Sequence, residues 1–377
     1  MSKLRVLHVI GGGEFGGAER HILNLAAALD PAEATVAVAC LFARPFAEMA
    51  GEAGLEAYTF PMRRKFDFRV VGPLARLAGE FDLVHTHGVR ANLIGRLAAR
   101  RAGRPVVTTV HSLLAFDYPG LAGRLVNALA ERFSRHLTAH FIAVSQALKD
   151  ALVRGGIPEE KITVVYNGVT VAAPHVPRET LRARLGYAPD TPLVGIVARL
   201  HRVKGHQVFL TAAREVLARR PGVKFLVVGA GPERQALEAL ARELEIGEAV
   251  RFTGFVTDVG AVMAALDVLV VASYWEGFGL TAAEALGLGV PVISTSAGGL
   301  GEVVRHGETG LLVPPGNAGE MANAVLWILD HPEEARVMTE RGGQLVRREF
   351  TPEKMARQTL QVYRKVLAQA GPGQGST

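Results

Sequence analysis

Short β-branched runs alternate with amphipathic helical stretches along this chain of 377 residues, and the alternation stops once and then restarts. Parallel strands need a long crossover, usually a helix, so this rhythm points to parallel sheets rather than hairpins. The first series reads 4–10 (LRVLHVI), 35–42 (TVAVACLF), 81–87 (FDLVHTH), 104–110 (RPVVTTV), 139–144 (AHFIAV) and 161–165 (KITVV). After Tyr166-Asn167-Gly168-Val169 the pattern breaks into a stretch with Pro174 and Pro177, which reads as a linker. The second series is 191–198 (TPLVGIVA), 223–229 (VKFLVVG), 250–254 (VRFTG), 267–272 (DVLVVA) and 290–294 (VPVIS). A chain this long exceeds one ordinary core and suits two domains. The sequence therefore predicts an α/β protein with two parallel sheets, each flanked by helices, divided into residues 1–168 and 169–355. A last helix, about 352–369, carries Val362, Tyr363, Val366 and Leu367 on one face, and the GPGQGST end, 371–377, is expected to be disordered.

Ligands of such sheets bind beyond the carboxyl ends of the strands. The most informative stretch there is 273–289 (SYWEGFGLTAAEALGLG), which follows a strand and turns into a helix. Glu276 falls at the loop tip and Glu284 two turns into the expected helix. Gly277, Phe278, Gly279 and Leu280 join them, and the glycines allow a ligand close to backbone amides that favour negative charge. That is a place for a phosphate with hydroxyls on either side. The plain alternative is two solvated glutamates; the pair in this setting favours a ligand site. On the first loop of the same half, ARLHRVKG places Arg199 and Lys204 where both can reach a diphosphate at a helix start. Against a pair of surface cations, this reading is favoured. Gly229 and Gly231 (VGAGP) and the segment Gly254-Phe255-Val256 occupy the next strand ends.

In the first half, GGGEFGG at 11–17 brings Gly16 and Gly17 to a helix start, and His85, His87 and His111 stand at or after strand ends. The loop satisfies G-x-G-x-x-G, but the second strand ends in Cys40, Leu41 and Phe42 with no acidic residue for a ribose. A nicotinamide-binding oxidoreductase therefore loses ground, whereas a phosphate cradle survives. His85-x-His87 could hold a metal; with no third ligand evident, a packed or hydrogen-bonded pair is the better reading. No Asp-x-Asp occurs, so a carboxylate-held magnesium is not indicated, and no metal is expected.

Charge is uneven. Residues 1–168 hold 20 Lys and Arg against 15 Asp and Glu, and the remainder holds 22 against 21. Arg63-Arg64-Lys65 and the group Arg96, Arg100, Arg101 and Arg104 suit an anionic membrane surface or acceptor, with a solvated surface equally plausible. Aromatics are only 6% and no nucleic-acid motif appears, so nucleic acid is not an expected partner. The single cysteine, Cys40, excludes an internal disulfide and reads as a core residue of a reducing compartment. The start of the chain reads as a strand rather than a signal peptide, and no run of about 18 apolar residues is present. A cytoplasmic protein, or one peripheral on the inner face of the plasma membrane, is expected.

GGGEFGGAERH, THG at 86–88, TVH at 109–111, YNGV, ARLHRVKG, VGAGP, EGFGLTAAE and ETGLLVPPG together resemble the retaining glycosyltransferases of family four. The likeness runs from the first loop to beyond Gly310, and the two glutamates with seven residues between them are its most specific part. It implies the GT-B fold, two facing Rossmann-like domains with a cleft between them, and a last helix, about 356–370, that crosses back to complete the first domain. It further implies a nucleotide-sugar donor, with UDP favoured over GDP, held mainly by the second domain, and a glycan, lipid-linked or small-molecule acceptor held mainly by the first. Carried over by motif, Glu284 would bind the donor ribose and Glu276 the sugar hydroxyls. Arg199 and Lys204 would hold the diphosphate, and His111 would face the transferred sugar. Gly16 and Gly17 would approach the phosphate, Gly229 would border the donor, and Val256 would border the base. The family implies retention without a covalent intermediate, the acceptor attacking from the face that the diphosphate leaves, and closure about the linker. The expected product is a polysaccharide or other glycoconjugate; a nucleotide-sugar binder without transfer activity is the second reading. The acceptor would be read by first-domain loops, including Phe116 and Tyr118.

Overall fold

The computed structural model describes residues 3–64, 66–113, 121–171 and 176–371. Phe116, Tyr118, Lys65, Pro174 and the expected tail beyond Gly371 lie outside them. The chain divides into two units, Met1–Gly168 with Thr351–Thr377, and Val169–Phe350. The return to the first unit thus falls at Thr351, a little before the boundary the sequence suggested. Each unit is a parallel sheet flanked by helices, so both are Rossmann-like, as the pattern predicted.

The first sheet contains β1 (Leu4–Ile10), β2 (Ala34–Cys40), β3 (Glu56–Thr59), β4 (Leu83–His87), β5 (Val106–Val110), β6 (His140–Ala143) and β7 (Ile162–Val164), in the order 3-2-1-4-5-6-7. All its pairings are parallel. Helices cover both faces of its central strands, so β4 (LVHTH) and β5 (VVTTV) bury histidines and threonines along with their apolar residues. On one face Val6, Leu83, Val107 and Ile142 pack with Leu25 of the helix Gly17–Ala28 and with Met355, Leu360, Tyr363 and Val366 of the helix Pro352–Ala370. That last helix starts where local chemistry dictates. The Thr351 side chain accepts from the Lys354 amide, Pro352 occupies the first turn, and Glu353 follows. Cys40 is buried, and burial pushes its thiol up to about 12.

One expectation fails here. Arg96, read as part of a basic surface, is fully buried on the helix Val89–Arg101. Its guanidinium meets Glu131 at 2.7 Å and donates to Ser134 Oγ at 3.0 Å. A buried guanidinium is tolerable only when paired, so its neighbours have been shaped around it. Arg63, Arg64, Arg100 and Arg101 are exposed, while Arg104 donates to the Gly79 carbonyl at 2.7 Å. Glu131→Ala should strand the Arg96 charge and cost about 3 kcal/mol or more of stability. Urea denaturation reads the loss directly.

The second sheet contains β8 (Leu193–Val197), β9 (Lys224–Val228), β10 (Val250–Gly254), β11 (Val268–Val271), β12 (Val292–Thr295) and β13 (Leu311–Val313), in the order 10-9-8-11-12-13. Phe209, Ala212, Ala213 and Val216 of the helix His206–Arg219 pack on Ile196, Phe225 and Val227. In both sheets the order reverses beside the first strand of the series, between β1 and β4 and between β8 and β11. Such a reversal leaves a crevice at the carboxyl ends of the two strands. Among the described residues, no helix is long and apolar enough to cross a membrane.

Candidate active site

In the second unit the crevice lies between the loops that follow β8 and β11. After β8, Arg199 is exposed, and a short 3-10 turn, Arg202–Lys204, leads into the helix His206–Arg219. After β11 the chain runs through Ser273 and Glu276 to the helix Leu280–Gly287, with Gly279 as its N-cap. Lys204 Nζ lies 2.6 Å from Glu276 Oε1, and Ser273 Oγ donates to the same oxygen at 2.9 Å. Both charged side chains are about one-fifth exposed, 20% for Lys204 and 19% for Glu276. One cation and one anion therefore face each other at the mouth of the crevice, sheltered but reachable.

The loops are held tightly. The Tyr274 amide donates to the Val203 carbonyl at 2.8 Å, tying the two loops together, and Thr295 Oγ1 donates to the Ser273 carbonyl at 2.6 Å. A third support is Gly298, where a Cβ would come within 2.1 Å of the Glu276 carbonyl oxygen. Only glycine lets that backbone approach, and the Gly299 amide then donates to the same carbonyl at 3.0 Å. Gly229 has a related role. Its φ is 136°, and a Cβ there would meet the Ala198 carbonyl oxygen at 2.0 Å, so it seats the β9 loop against the β8 loop.

Glu284 differs from expectation in one respect. The helix begins at Leu280, so Glu284 lies one turn in rather than two. It is buried, which the plain alternative of a solvated helix-surface glutamate did not anticipate. Phe278 is buried with its ring edge-on to Phe350, centroids 5.0 Å apart, which anchors Gly277 and Gly279 on either side of it. Val256 is half-buried beyond β10, next to Phe255, which is 69% exposed. His206, not singled out by the sequence, opens the helix after Lys204 and is buried with neither ring nitrogen partnered among the described residues. Burial, and then the Lys204 charge, lower its pKa to about 4.

The first unit's crevice is lined by imidazoles. The β1–β4 register sets His8 opposite His85 and Ile10 opposite His87, so rings from neighbouring strands meet. His87 Nε2 is 2.9 Å from His8 Nδ1, and His87 Nδ1 is 3.0 Å from His111 Nε2. His21, on the helix after the glycine loop, bonds Asn167 Oδ1 through Nδ1 at 2.8 Å. Burial lowers the pKa of His8 to about 3 and that of His21 to about 4, and it holds His85, His87 and His111 well below 6.5. These rings are neutral at pH 7. The expectation that His85 and His87 lack a third partner is corrected, because His8 joins them, and His21 joins His87 and His111, each set with one ring nitrogen apiece within 4.8 Å. Here both nitrogens of His87 are engaged by other rings, which is a hydrogen-bonded arrangement. At the glycine loop the Gly16 amide donates to Glu19 Oε2 at 3.1 Å, so the carboxylate already occupies one of the amides expected to meet phosphate. Gly17 is the first residue of the helix.

Comparison with known proteins agrees with this geometry. The family described as Glycosyltransferase Family 4 matches residues 15–173, and the one described as Glycosyl transferases group 1 matches residues 177–344. The D-inositol 3-phosphate glycosyltransferase of Rhodococcus erythropolis is 33% identical over 322 residues, 79% of this chain and 71% of that one. The 2-deoxystreptamine glucosyltransferase of Streptomyces kanamyceticus is 32% identical over 302 residues, 76% of this chain and 78% of that one. Among solved structures, Anabaena HepE in complex with UDP-glucose superposes with a TM-score of 0.85 at 25% identity, covering 96% of this chain and 100% of that one. Two Rossmann-like units with such crevices define the GT-B class of glycosyltransferase. The chain belongs to glycosyltransferase family four.

Proposed function

We propose that this protein is a retaining hexosyltransferase that takes a sugar from a nucleoside diphosphate donor, UDP in preference to GDP, and needs no metal for the transfer. The observation that carries the reading is the Lys204–Glu276 contact at the β8/β11 reversal. Each group holds the other at 2.6 Å. With donor bound, Lys204 would turn to the diphosphate and Glu276 to the sugar hydroxyls, so the pair keeps both groups in place until the donor replaces it. Arg199 adds a second cation from the same loop, and the start of the helix Leu280–Gly287 adds amides. Glu284 would take the ribose, and Val256 would border the base. His111 and Gly17 of the first unit would act on the transferred sugar and the phosphate.

The departing diphosphate develops negative charge and the anomeric carbon positive charge. Fixed cations and amides lower that barrier because they need no rearrangement as the charge appears. Glu276, paired to a lysine and a serine, is suited to orienting the sugar. Retention would follow if the acceptor attacked from the side the diphosphate leaves, with a diphosphate oxygen taking its proton. Incubation with a panel of UDP-, GDP- and ADP-sugars, read by mass spectrometry, tests the proposal. Slow donor hydrolysis, or transfer to an added sugar or polyol with retained configuration, is expected. Tight binding with no turnover would favour the non-catalytic nucleotide-sugar binder instead.

A glycoconjugate product made at a membrane face fits one further feature. The helix Leu121–Ser134 exposes Leu125, Leu129 and Phe133 at four-residue spacing, with Phe133 71% exposed, beside Arg132. Apolar side chains flanked by cations suit an anionic bilayer surface. Phe133→Ser should reduce co-sedimentation with phosphatidylglycerol vesicles several-fold, and an unchanged bound fraction would remove this surface from the account.

A further inference from the structure

One continuous hydrogen-bonded chain links His111 to the interior of the first unit. His111 Nε2 meets His87 Nδ1 at 3.0 Å, His87 Nε2 meets His8 Nδ1 at 2.9 Å, and His8 Nε2 meets the Tyr363 hydroxyl at 3.3 Å. The same hydroxyl meets His85 Nδ1 at 2.7 Å, and His85 Nε2 meets Thr109 Oγ1 at 2.7 Å. His8, His85, His87, Thr109 and Tyr363 are all buried, whereas His111 is only partly so. Tyr363 comes from the last helix, so the chain joins three strands and the loop after β5 to the C-terminal segment.

A neutral imidazole has one N–H and one lone pair, and each hydroxyl has one proton. Every link uses one proton, and an imidazole that accepts at one nitrogen must donate at the other, whereas the Tyr363 hydroxyl can either pass the direction on or accept from both neighbours. Three arrangements exist. In the first, Thr109 donates to His85, His85 donates through Nδ1 to Tyr363, Tyr363 to His8, His8 through Nδ1 to His87, and His87 through Nδ1 to His111. His111 then carries its own proton on Nδ1. In the second, His111 donates through Nε2 and the order inverts, ending with His85 Nε2 donating to Thr109. In the third, Thr109 donates to His85 and His111 donates through Nε2, and Tyr363 accepts from both His85 and His8.

The three arrangements differ in where the one unused proton lies. Six groups bring one proton each to five links. In the first arrangement the spare donor is His111 Nδ1–H, at the partly exposed end. In the second it is the Thr109 hydroxyl, which is buried and has no partner but His85 among the described residues. In the third it is the Tyr363 hydroxyl, fully buried with both His85 and His8 donating to it. A buried donor without an acceptor is the costlier outcome, since water cannot reach it. We infer that the chain runs from Thr109 to His111 and fixes His111 as the Nδ1–H tautomer, a hydrogen-bond donor aimed at an oxygen of the transferred sugar. Thr109, His85, Tyr363, His8 and His87 are positioning residues that act through His111. The lowered pKa values of the four rings agree with the neutral forms this requires.

The use of the donor rests on the proposed place of His111 at the sugar; the tautomer does not. Long-range proton–nitrogen correlation spectra of the full-length, ligand-free protein labelled with nitrogen-15 report which ring nitrogen carries each proton. Nδ1–H is expected for His8, His85, His87 and His111, and Nε2–H on His111 would overturn the inference. Thr109→Asp places an acceptor-only carboxylate at the inner end and should reverse every link. His111 would then switch to Nε2–H, and kcat should fall about tenfold or more with a smaller change in donor KM, which is the effect of losing one hydrogen bond to the reacting sugar. Thr109→Ser should keep both the tautomer and kcat. A reversed tautomer with unchanged kcat would detach the chain from the reaction, and an unreversed one would show that the links are not coupled. Should Thr109→Asp fail to fold, the wild-type spectrum decides the direction. Should the protein transfer no sugar, the activity reading fails while the tautomer assignment stands.

Discussion

Lys204→Ala is expected to lower turnover with any accepted nucleotide-sugar by about 10²–10³, the usual loss when one preorganised charge-stabilising contact is removed from a transition state. The effect should fall on kcat more than on donor KM, because the leaving oxygen gains most of its charge after binding. The substitution also removes a partner of Glu276, whose carboxylate would then keep the Ser273 hydroxyl and lose the lysine. Glu276→Gln tests the other side of the pair. It keeps a hydrogen-bonding group for the sugar but removes the charge that holds Lys204 in place. Steady-state rates of donor consumption for both variants separate these roles, and a Lys204→Ala enzyme at wild-type turnover would remove the lysine from the mechanism.

Folding stability is expected to fall steeply as pH drops below about 6.5. His8, His21, His85, His87 and His111 all have native pKa values lowered first by burial. The unfolded chain takes up protons below its ordinary histidine pKa, whereas the native protein resists them. Between that pH and the native values, about 3 for His8 and about 4 for His21, the unfolded state binds more protons, so stability rises with pH through the window. The contribution is fully present above the unfolded pKa and is lost as pH falls through the native ones. Each ring contributes about 1.4 kcal/mol per pH unit there. Several rings acting over one to two units reach a sizeable part of a typical domain's ~5–15 kcal/mol. Urea midpoints at pH 7.5, 6.0 and 5.0 measure it, and a flat profile would contradict neutral buried imidazoles.

The sheets were legible in the sequence because buried parallel strands are short apolar runs bounded by turns, and eleven strands sit within a few residues of where the pattern put them. Two strands escaped. β3 is four residues, EAYT, mostly exposed at a sheet edge, where one-sided burial leaves little hydrophobic signal. β13 is three residues between Gly310 and Pro314, too short for periodicity to register.

The candidate site was legible in part. The order strand, loop, helix located Glu276 and Glu284, since the residues after a strand line the crevice whatever the sheet order. That Lys204 touches Glu276 depended on β8 lying beside β11, an adjacency fixed by topology. His8 and His21 escaped for a similar reason: a single histidine in a strand or helix shows nothing until register sets it against His85, His87 or His111. Arg96 was misplaced because charge alone does not reveal a guanidinium whose partner, Glu131, lies on a different helix.

Diffraction from crystals grown with UDP addresses the second unit's crevice most directly. The expected result is a pyrophosphate within hydrogen-bonding distance of Lys204 Nζ, the Lys204–Glu276 contact opened, and the ribose beside Glu284. A nucleotide bound elsewhere, with that contact intact and Glu284 far from the ribose, would contradict the donor site proposed for this glycosyltransferase.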